Sequence, residues 1–506
     1  MNRHLAAFPN FILIVCLIHS LVLVGYAPVE AQQDPLRKSQ AEIDQETDRW
    51  RGCSLGIRLE TRDGKSFVET VHEHAQEFTE LELDDQLVSV GSVKNLPSRL
   101  SELSKLLKAT APSTKLAVKV IRDNKEIVVD AMTFRREFLD IAQINSVLSN
   151  NQIIERHLTD TDRPDFMDDF SKRMIEAVRS SKKPREAYER MNRIIDEIGV
   201  SHTAFLPDAT YKQLLRGEGA ELGLTLQRHT INDHTGYFVV DIQPGTVTYK
   251  QNILLGDEIV KINGVEIEES KRLMLAGEED RHNLFAIRAD LDSDIEIQHQ
   301  SSPFDDVLTS TLKPQKGVTT GQCLTNSVTT FQHAGKTIGY LRFWNLMSME
   351  VVTRFRKALK EEFADCDAFI MDLRGRGGMV NVLLRIDSIA GDCGKPIVAI
   401  TDGLTRSAKE MLSYRLKKRD NVVVIGTRTT GAVTGATFAQ LPSGNALMYP
   451  ALAADRLKEH LDGKILEGVG VEPDEEVNFF IPYCGGNDRM LQTAIKRAAE
   501  HATKAR

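Results

Sequence analysis

Ser407 stands at a junction where a serine could act as a nucleophile. The apolar run 396–401 predicts a buried strand, residues 402–406 form a short polar loop, and residues 408–418 predict a helix. A hydroxyl at a helix N-terminus lies near backbone N–H groups and the positive end of the helix dipole, which favour the negative charge that develops in acyl transfer. Serine is also a common N-cap residue, so helix capping remains open as the alternative role.

Three glycine-spaced segments could supply the other parts of such a site. They are the strand end and turn 372–378, the loop 426–435 and the segment 467–474. A glycine turn lets backbone amides approach a substrate carbonyl, as an oxyanion hole requires, although many glycine turns serve backbone geometry alone. Each segment is weak by itself, and their joint occurrence with Ser407 is the stronger signal.

Composition argues against several other chemistries. The formal net charge is -8, with 64 Lys and Arg against 72 Asp and Glu, which argues against electrostatic binding of nucleic acid. The cysteines form no Cys-x-x-Cys pair, and His72 and His74 have no further ligands nearby in sequence, so no metal site is predicted. We therefore expect no metal, no other cofactor and no nucleic-acid partner.

The first 31 residues have the pattern of a secretory signal peptide. Arg3 and His4 precede the apolar run 11–24, and small residues before Ala31 suit cleavage after that residue. The alternative is an uncleaved membrane anchor, because an apolar segment of about 17 residues is at the lower limit for spanning a bilayer. We predict an exported protein, periplasmic or secreted, that is membrane-anchored only if this segment is retained.

The elements that must position the candidate residues form several domains. Residues 52–135 and 218–315 each alternate short apolar runs after a Leu-Gly-Ile or Leu-Gly-Leu sequence, which is typical of a PDZ-like domain and suggests a duplication. Residues 136–217 have apolar residues at helical spacing. Residues 319–485 alternate strand and helix, and 486–506 predict a C-terminal helix. The predicted fold class is therefore α+β multidomain, with two PDZ-like domains, a small helical region and an α/β core.

Four motifs together resemble one peptidase family. The Asp-Leu-Arg strand end with its glycines, the Ser-Ala-x-Glu helix start, the Gly-x-x-Thr-x-Gly loop and the Gly-Val-x-Pro-Asp segment resemble the C-terminal processing peptidase (tail-specific protease) family in order and spacing. This resemblance covers about residues 140–480 and implies a ClpP/crotonase-like serine peptidase core with acyl-enzyme chemistry. It implies Ser407 as nucleophile and an oxyanion hole from the backbone N–H groups of Gly377 or Gly378 and Ala408.

One residue departs from the tail-specific branch of that family. Ala432 stands at the position that carries the catalytic lysine in that branch, so a Ser/Lys dyad is not implied here. Lys409 and Lys418 lie nearby in sequence. An exposed helical lysine, with a pKa of about 10.4, is a poor general base at neutral pH.

The tricorn core protease branch is similar in fold and uses a histidine base from a Ser-His pair ahead of the PDZ domain. Ser201 and His202 have that placement, so the resemblance implies His202 as the base and Ser201 as its supporting hydroxyl. It also suggests an acidic residue near the last motif, for which Glu467 is the candidate. A capping or surface histidine and a surface glutamate are the alternatives.

The second PDZ-like domain suggests how a substrate is presented. Backbone amides of the loop Leu222-Gly223-Leu224 could capture a C-terminal carboxylate while the peptide adds as a strand to the sheet. The prediction is an exported serine endopeptidase that recognises protein tails, with homo-oligomer formation left open. The alternative is a catalytically inactive PDZ scaffold that binds tails, which is favoured by the missing lysine and by Arg406 and Lys409 beside Ser407.

Overall fold

The computed structural model describes residues 53–72, 75–76, 79–96, 98–216, 220–276 and 284–504. The predicted signal segment and its cleavage site lie outside these residues. All described residues belong to one compact unit, Asp44–Arg506. Within these ranges, no helix combines the length and the apolar character needed to cross a membrane.

The first module is an antiparallel sheet with one helix. Its elements are β1 Cys53–Ser54, β2 Ile57–Arg62, β3 Lys65–Val71, β4 Gln86–Val90, β5 Val93–Lys94, α1 Leu100–Ala109, β6 Lys115–Arg122, β7 Lys125–Met132 and β8 Phe134–Arg135. The strand order is β2-β3-β4-β6-β7, β5 pairs with β4, and β1 pairs with β8. Asp63 and Gly64 both have positive φ in the two-residue turn between β2 and β3, as a tight hairpin requires.

A group of helices follows, and it shares its core with the α/β part of the chain. Its elements are α2 Glu137–Ser149, α3 Gln152–Asp160, α4 Phe170–Ser180, α5 Pro184–Asp196, β9 Ala204–Leu206 and α6 Asp208–Arg216. Proline at the first position of α5 is favourable because its missing N–H has no partner in a first helical turn. Phe205 and Leu447 pack in the same apolar cluster as these helices.

The second module repeats the strand order of the first. Its strands are β10 Ala220–Glu221, β11 Leu224–Ile231, β12 His234–Ile242, β13 Glu258–Ile262, β14 Val265–Glu266, β15 Leu273–Leu275, β16 Leu284–Ile287, β17 Ile295–Gln300, β18 Leu308–Leu312 and β19 Gln315–Lys316. The sheet order is β15-β16-β11-β12-β13-β17-β18, with β14 beside β13, and β10 pairs with β19. Both modules have a register shift at the same distance after their glycine turn, between Arg58 and Leu59 and between Thr225 and Leu226.

The two modules differ in what lies beside the first strand of the sheet. In the first module, β2 is the terminal strand of the described sheet. In the second module, β16 pairs antiparallel with β11 at Leu226 and Gln227, so both edges of β11 are hydrogen-bonded there. The chain itself therefore covers the edge of β11.

The remaining chain forms a parallel sheet between two helical layers. Its elements are α7 Thr320–Ser327, β20 Thr329–His333, β21 Lys336–Arg342, α8 Met349–Lys360, β22 Ala368–Asp372, α9 Val380–Asp392, β23 Ile397–Thr401, α10 Ala408–Leu416, β24 Val422–Gly426, β25 Gly435–Gln440, β26 Ala446–Leu452, β27 Glu475–Glu476 and α11 Arg489–Lys504. Strands β21, β22, β23, β24 and β27 are parallel neighbours in that order, and β20 is antiparallel at the edge. The predicted strand–helix alternation is confirmed, and α9 is an additional helix that the sequence analysis did not predict.

A small separate sheet joins the helical region to this core. Strand β9 pairs antiparallel with β26, and β26 pairs with β25. Because β9 begins two residues after His202, this pairing places the Ser201-His202 dipeptide against the α/β core. The sequence analysis did not predict this sheet.

Candidate active site

Ser407 has an unfavourable backbone conformation immediately before helix α10. Its φ is 55° and its ψ is -130°, and its side chain makes no capping hydrogen bond to the helix. A non-glycine residue at positive φ is strained and must be held by its surroundings. The Ser407 N–H donates to the Ala432 carbonyl at 2.7 Å, and the Ser407 carbonyl accepts from the Met411 N–H at 3.0 Å. The capping alternative is therefore wrong, and the hydroxyl makes no hydrogen bond to any described residue.

The glycine turn after β22 lies against Ser407. A Cβ atom on Gly377 would lie 2.7 Å from the Ser407 Cβ, and one on Gly378 would lie 2.3 Å from the Leu346 Cβ, so neither position has room for a side chain. The Gly377 carbonyl accepts from the Leu346 N–H. Across the described ranges, the N–H groups of Gly377, Gly378 and Ala408 have no acceptor. These three donors can stabilise an oxyanion.

Asp402 joins this turn to the loop that carries Ser407. Its Oδ1 accepts from the Gly375 N–H at 2.9 Å and from the Thr405 hydroxyl at 2.8 Å. The same hydroxyl also lies 3.1 Å from the Leu373 carbonyl. The turn after β22 and the loop after β23 therefore form one connected unit.

The Asp-Leu-Arg motif has a structural role. Asp372 is fully buried and accepts from the Tyr340 hydroxyl at 2.8 Å and from the Arg374 guanidinium at 2.7 Å. Burial opposes its ionisation, but the guanidiniums of Arg374 and Arg342 outweigh burial and hold the pKa of Asp372 well below its usual range. The motif fixes the carboxyl end of β22, which leads into the glycine turn.

The structure brings Ser201, His202 and Glu467 together. Ser201 Oγ lies 3.0 Å from His202 Nδ1, and both residues are buried. Glu467 Oε1 accepts from the Ser201 N–H at 3.0 Å. With the proton on Nδ1 and donated to Ser201 Oγ, the imidazole keeps a lone pair on Nε2 for base catalysis. Glu467 thus contacts the backbone of Ser201, whereas the expected orienting role placed it at the imidazole.

The loop 429–434 connects that group to Ser407. Glu467 Oε2 accepts from the N–H groups of Val433 at 2.8 Å and Thr434 at 2.9 Å. The preceding residue, Ala432, accepts the Ser407 N–H. The Ser201-His202 pair and Ser407 therefore contact the same loop through Glu467 and Ala432.

Glu410 is a site residue that the sequence analysis did not assign. Its buried carboxylate accepts from the N–H groups of Gly431 at 2.6 Å and Ala432 at 2.9 Å, and from the Thr429 hydroxyl. Burial raises the pKa of Glu410 to about 7. The glutamate of the Ser-Ala-x-Glu motif was the available signal, and its function is to fasten the loop 429–432 to helix α10.

Residues 385–477 match the family model described as Peptidase family S41, and residues 213–276 match the model of the PDZ domain. The segment that follows β22 in this chain is therefore similar to Peptidase family S41. The matched S41 segment includes Ser407, Glu410 and Glu467 and ends before the C-terminal helix. The PDZ match falls on the second of the two modules.

A curated relative and two solved structures are similar to this chain. A Tricorn-like protease C-terminal subunit of Sulfurisphaera tokodaii is 30% identical over 182 residues, which cover 32% of this chain. The chain spans about a fifth of that relative, 21% of its length. The photosystem II D1 C-terminal processing protease is 17% identical with TM-score 0.41, covering 68% of this chain and 93% of its own. The tricorn protease is 17% identical with TM-score 0.40, and the similarity covers 77% of this chain and 40% of the tricorn chain.

The sequence analysis treated Lys409 and Lys418 as exposed helical lysines. The structure agrees for one of them and disagrees for the other. Lys418 is exposed, forms an ion pair with Asp462 and lies 4.5 Å from the ring centre of Tyr414. Lys409 is fully buried, so the expectation of an exposed lysine is wrong there. Its Nζ donates to the carbonyls of Phe343, Trp344 and Arg374. An ammonium with three acceptors has no lone pair with which to act as a base.

The predicted tail-binding loop of the PDZ domain is tightly packed. Leu222 and Leu224 are buried in the domain core. Gly223 has a φ of 78°, and a Cβ there would lie 2.1 Å from the Thr246 Oγ1. The Gly223 carbonyl accepts from the Gln243 N–H at 2.8 Å. The positive φ of Gly223 gives the loop the turn that the predicted tail-binding role needs. Strand β11 continues from this loop, and its edge is covered by β16.

The PDZ domain contacts the α/β core close to the glycine turn. Asp241 forms an ion pair with Arg342 at 2.7 Å. Arg376, which immediately precedes Gly377, lies 3.4 Å from the Thr225 Oγ1 and 4.1 Å from the ring centre of Trp344. The PDZ sheet therefore forms part of the surroundings of the candidate active site.

The described residues hold no group of three or more His, Cys, Asp or Glu side chains that could bind a metal ion. Cys323, Cys366, Cys393 and Cys484 form no disulfide among themselves.

Proposed function

We propose that this protein is a serine endopeptidase of the C-terminal processing type, with Ser407 as its nucleophile. The observation that carries the proposal is the strained serine at positive φ, whose hydroxyl is unpaired among the described residues. Ser407 packs against Gly377, and the N–H groups of Gly377, Gly378 and Ala408 have no acceptor in the described part of the chain. Strain of this kind at a loop-to-helix junction is typical of a functional residue, because packing alone gives no reason to keep it.

His202 is the proposed general base. In the first step, Ser407 Oγ attacks the scissile carbonyl carbon while His202 Nε2 takes the hydroxyl proton, and the carbonyl oxygen becomes an oxyanion held by the three amides. The imidazolium then protonates the leaving amine as the acyl-enzyme forms. Water repeats the sequence and releases the acid. Ser201 orients the imidazole through Nδ1, and Glu467 fixes Ser201 and the loop 433–434.

We also propose that this endopeptidase is exported and recognises its protein substrates by their C-terminal tails. The residues that support this are the signal-like segment 1–31 and the glycine turn Leu222-Gly223-Leu224 of the PDZ domain. N-terminal sequencing of the protein recovered from the exported fraction tests the first part, and Gln32 is the expected first residue. An N-terminus at Met1 in membrane pellets would contradict cleavage and indicate an anchor.

A fluorophosphonate probe on the purified full-length protein tests the catalytic proposal. Labelling of the wild type is expected, and it should disappear in Ser407→Ala and in His202→Ala, because one variant lacks the nucleophile and the other lacks its base. Ser388→Ala and His333→Ala, which change an exposed serine and an exposed histidine, should label like the wild type.

The second candidate function is a catalytically inactive scaffold that binds tails. The observation that favours it is the Ser407 hydroxyl, which makes no hydrogen bond to a base in the described part of the chain. Catalytic hydrogen bonds are often absent without substrate, so this geometry alone does not exclude catalysis. A folded wild type that binds tail peptides and does not react with the probe would support the scaffold.

A further inference from the structure

Lys409 occupies an unusual position beneath the candidate active site. It lies two residues after Ser407, on helix α10, and its side chain is fully buried. Its Nζ donates hydrogen bonds to the carbonyls of Phe343 at 2.9 Å, Trp344 at 3.2 Å and Arg374 at 2.8 Å. The three N–H bonds of an ammonium are therefore all used.

The three carbonyls belong to the ends of two neighbouring strands. Phe343 and Trp344 directly follow β21, and Arg374 follows β22. Beyond these carbonyls the two segments come together again, because the Leu346 N–H donates to the Gly377 carbonyl at 3.0 Å. One ammonium on the Ser407 helix thus holds both segments that carry the glycine turn.

The charges around Lys409 make its protonation sensitive to pH near neutrality. Burial is the main cause that lowers the pKa of Lys409, and the Arg342 guanidinium on β21 is the second. Together they bring this pKa to about 7. Arg376 on the glycine turn lowers it further, whereas Asp402 after β23 and Asp372 on β22 raise it. When the proton is lost, a nitrogen lone pair replaces one N–H and faces a carbonyl oxygen, which is repulsive.

We propose that Lys409 is a positioning residue whose ammonium holds the glycine turn 375–378 against Ser407, so that the reactivity of Ser407 requires the protonated lysine. The proposal rests on the proposed serine peptidase function and deepens it. It assigns to Lys409 a role that is distinct from that of a general base, since His202 keeps that role.

The test compares two lysines that each donate to three backbone carbonyls, one fully buried and one partly exposed. Lys395 also donates to three carbonyls, those of Phe363, Ala364 and Cys366, at the other end of the sheet, before β23. Lys409→Met and Lys395→Met therefore remove the same kind of contact in two places. The rate constant of fluorophosphonate labelling is measured for both variants and the wild type from about pH 6 to about pH 9, together with the thermal unfolding temperature.

We expect Lys409→Met to label about a hundredfold more slowly than the wild type, since a small displacement of the oxyanion donors has effects of that order. The wild-type labelling rate should fall at higher pH as Lys409 loses its proton. In Lys409→Met the falling limb should be absent. Lys395→Met should lower the unfolding temperature and keep the wild-type rate and profile.

Three results would overturn the proposal while leaving the proposed function intact. They are a Lys409→Met rate equal to the wild-type rate, a falling limb that persists in Lys409→Met, and a Lys395→Met variant that loses labelling to the same extent. If Lys409→Met does not fold, a wild-type profile without a falling limb overturns the proposal and one with it supports it. A wild type that does not label at any pH counts against the proposed function itself.

Discussion

The strained backbone conformation of Ser407 is held by neighbouring residues that have no room for a larger side chain. Gly377 is one of them, because any side chain there meets the Ser407 Cβ at 2.7 Å. Its φ is not in the left-handed region, so the need for glycine at this position comes from close approach alone. The contact packs the glycine turn directly against the candidate nucleophile.

Gly377→Ala should reduce the labelling of Ser407 by about a hundredfold, because the added methyl group displaces the donor turn from the serine. The labelling rate constant measures this effect. Gly403→Ala is the control, since a Cβ at Gly403 would meet no atom within 4 Å. Equal rates for Gly377→Ala and the wild type would show that the turn does not act on Ser407.

The buried carboxyl of Glu137 predicts a pH dependence of stability. Its Oε1 accepts from the Tyr188 hydroxyl at 3.1 Å and its Oε2 has no partner among the described residues. Burial raises the pKa of Glu137 to about 7. Because the unfolded chain has the lower pKa, the folded state binds more protons between about pH 4.5 and pH 7, and the stability of the wild type falls as pH rises through that window.

Glu137→Gln removes this cost, so its free energy of unfolding should exceed that of the wild type by up to about 3 kcal/mol at pH 8 and by much less at pH 4.5. Urea unfolding of both proteins at the two pH values measures the difference. The explanation fails if the difference is the same at both.

Sequence motifs located the candidate residues better than they described the surroundings. Ser407, the glycine turn and Ser201-His202 can be identified in the sequence because each has a local pattern. The burial of Lys409 could not be predicted, because its position on the helix is buried only when the ends of two strands pack over it. The role of Glu467 at the Ser201 amide is equally a product of tertiary contact.

The element that most changes the PDZ domain is the pair of strands β15 and β16. In the first module, β2 is the terminal strand of the described sheet, although the strand order and the register shift of the two modules agree. The sequence analysis predicted a PDZ-like domain in each module from its apolar runs. It could not predict that Leu284–Ile287 would pair with β11, because the choice of partner in a sheet depends on the whole domain.

Phe285 holds β16 in place and offers a test of tail binding. It is fully buried, and its ring centre lies 5.1 Å from that of Tyr237. It pairs with Leu226 across the two strands. Phe285→Ala should lower the free energy of unfolding by roughly 3–5 kcal/mol. If β16 competes with tails for β11, this variant should also bind a tail peptide more tightly than the wild type in a fluorescence anisotropy titration.

Two controls accompany that titration. Ile262→Ala removes a buried side chain from the same core, on β13 and away from the covered edge. This variant should be less stable than the wild type and should bind the peptide no more tightly. A peptide with an amidated C-terminus should bind to none of the variants, since the carboxylate is the group captured. Unchanged binding in Phe285→Ala would mean that β16 does not compete with tails.

At the scale of the whole molecule, the PDZ domain contacts the α/β core and the segment that precedes α11. Asp241 pairs with Arg342 near the glycine turn. The segment before α11 donates from the N–H groups of Tyr483 and Gly486 to the carbonyls of Gly256 and Leu255. These contacts fix the position of the PDZ sheet relative to the candidate active site.

Asp241→Ala should cost roughly 3 kcal/mol of stability, because it leaves the Arg342 guanidinium buried without one of its two carboxylate partners. Asp241→Asn should cost less, since the amide oxygen still accepts a hydrogen bond. Guanidinium chloride unfolding followed by tryptophan fluorescence measures both, as Trp344 lies beside Arg342. A loss below about 0.5 kcal/mol in Asp241→Ala would show that the ion pair contributes only as a surface pair does.

The pairing of β9 with β26 has a consequence for the order of events during synthesis. His202 emerges from the ribosome about 240 residues before the strand that docks its segment, Ala446–Leu452, has been made. A growing chain therefore carries His202 for about half of its translation without the strand that pairs with β9. Any product truncated before Ala446 lacks that strand, and its Ser201-His202 dipeptide has no β26 to hold the adjacent β9 against the α/β core.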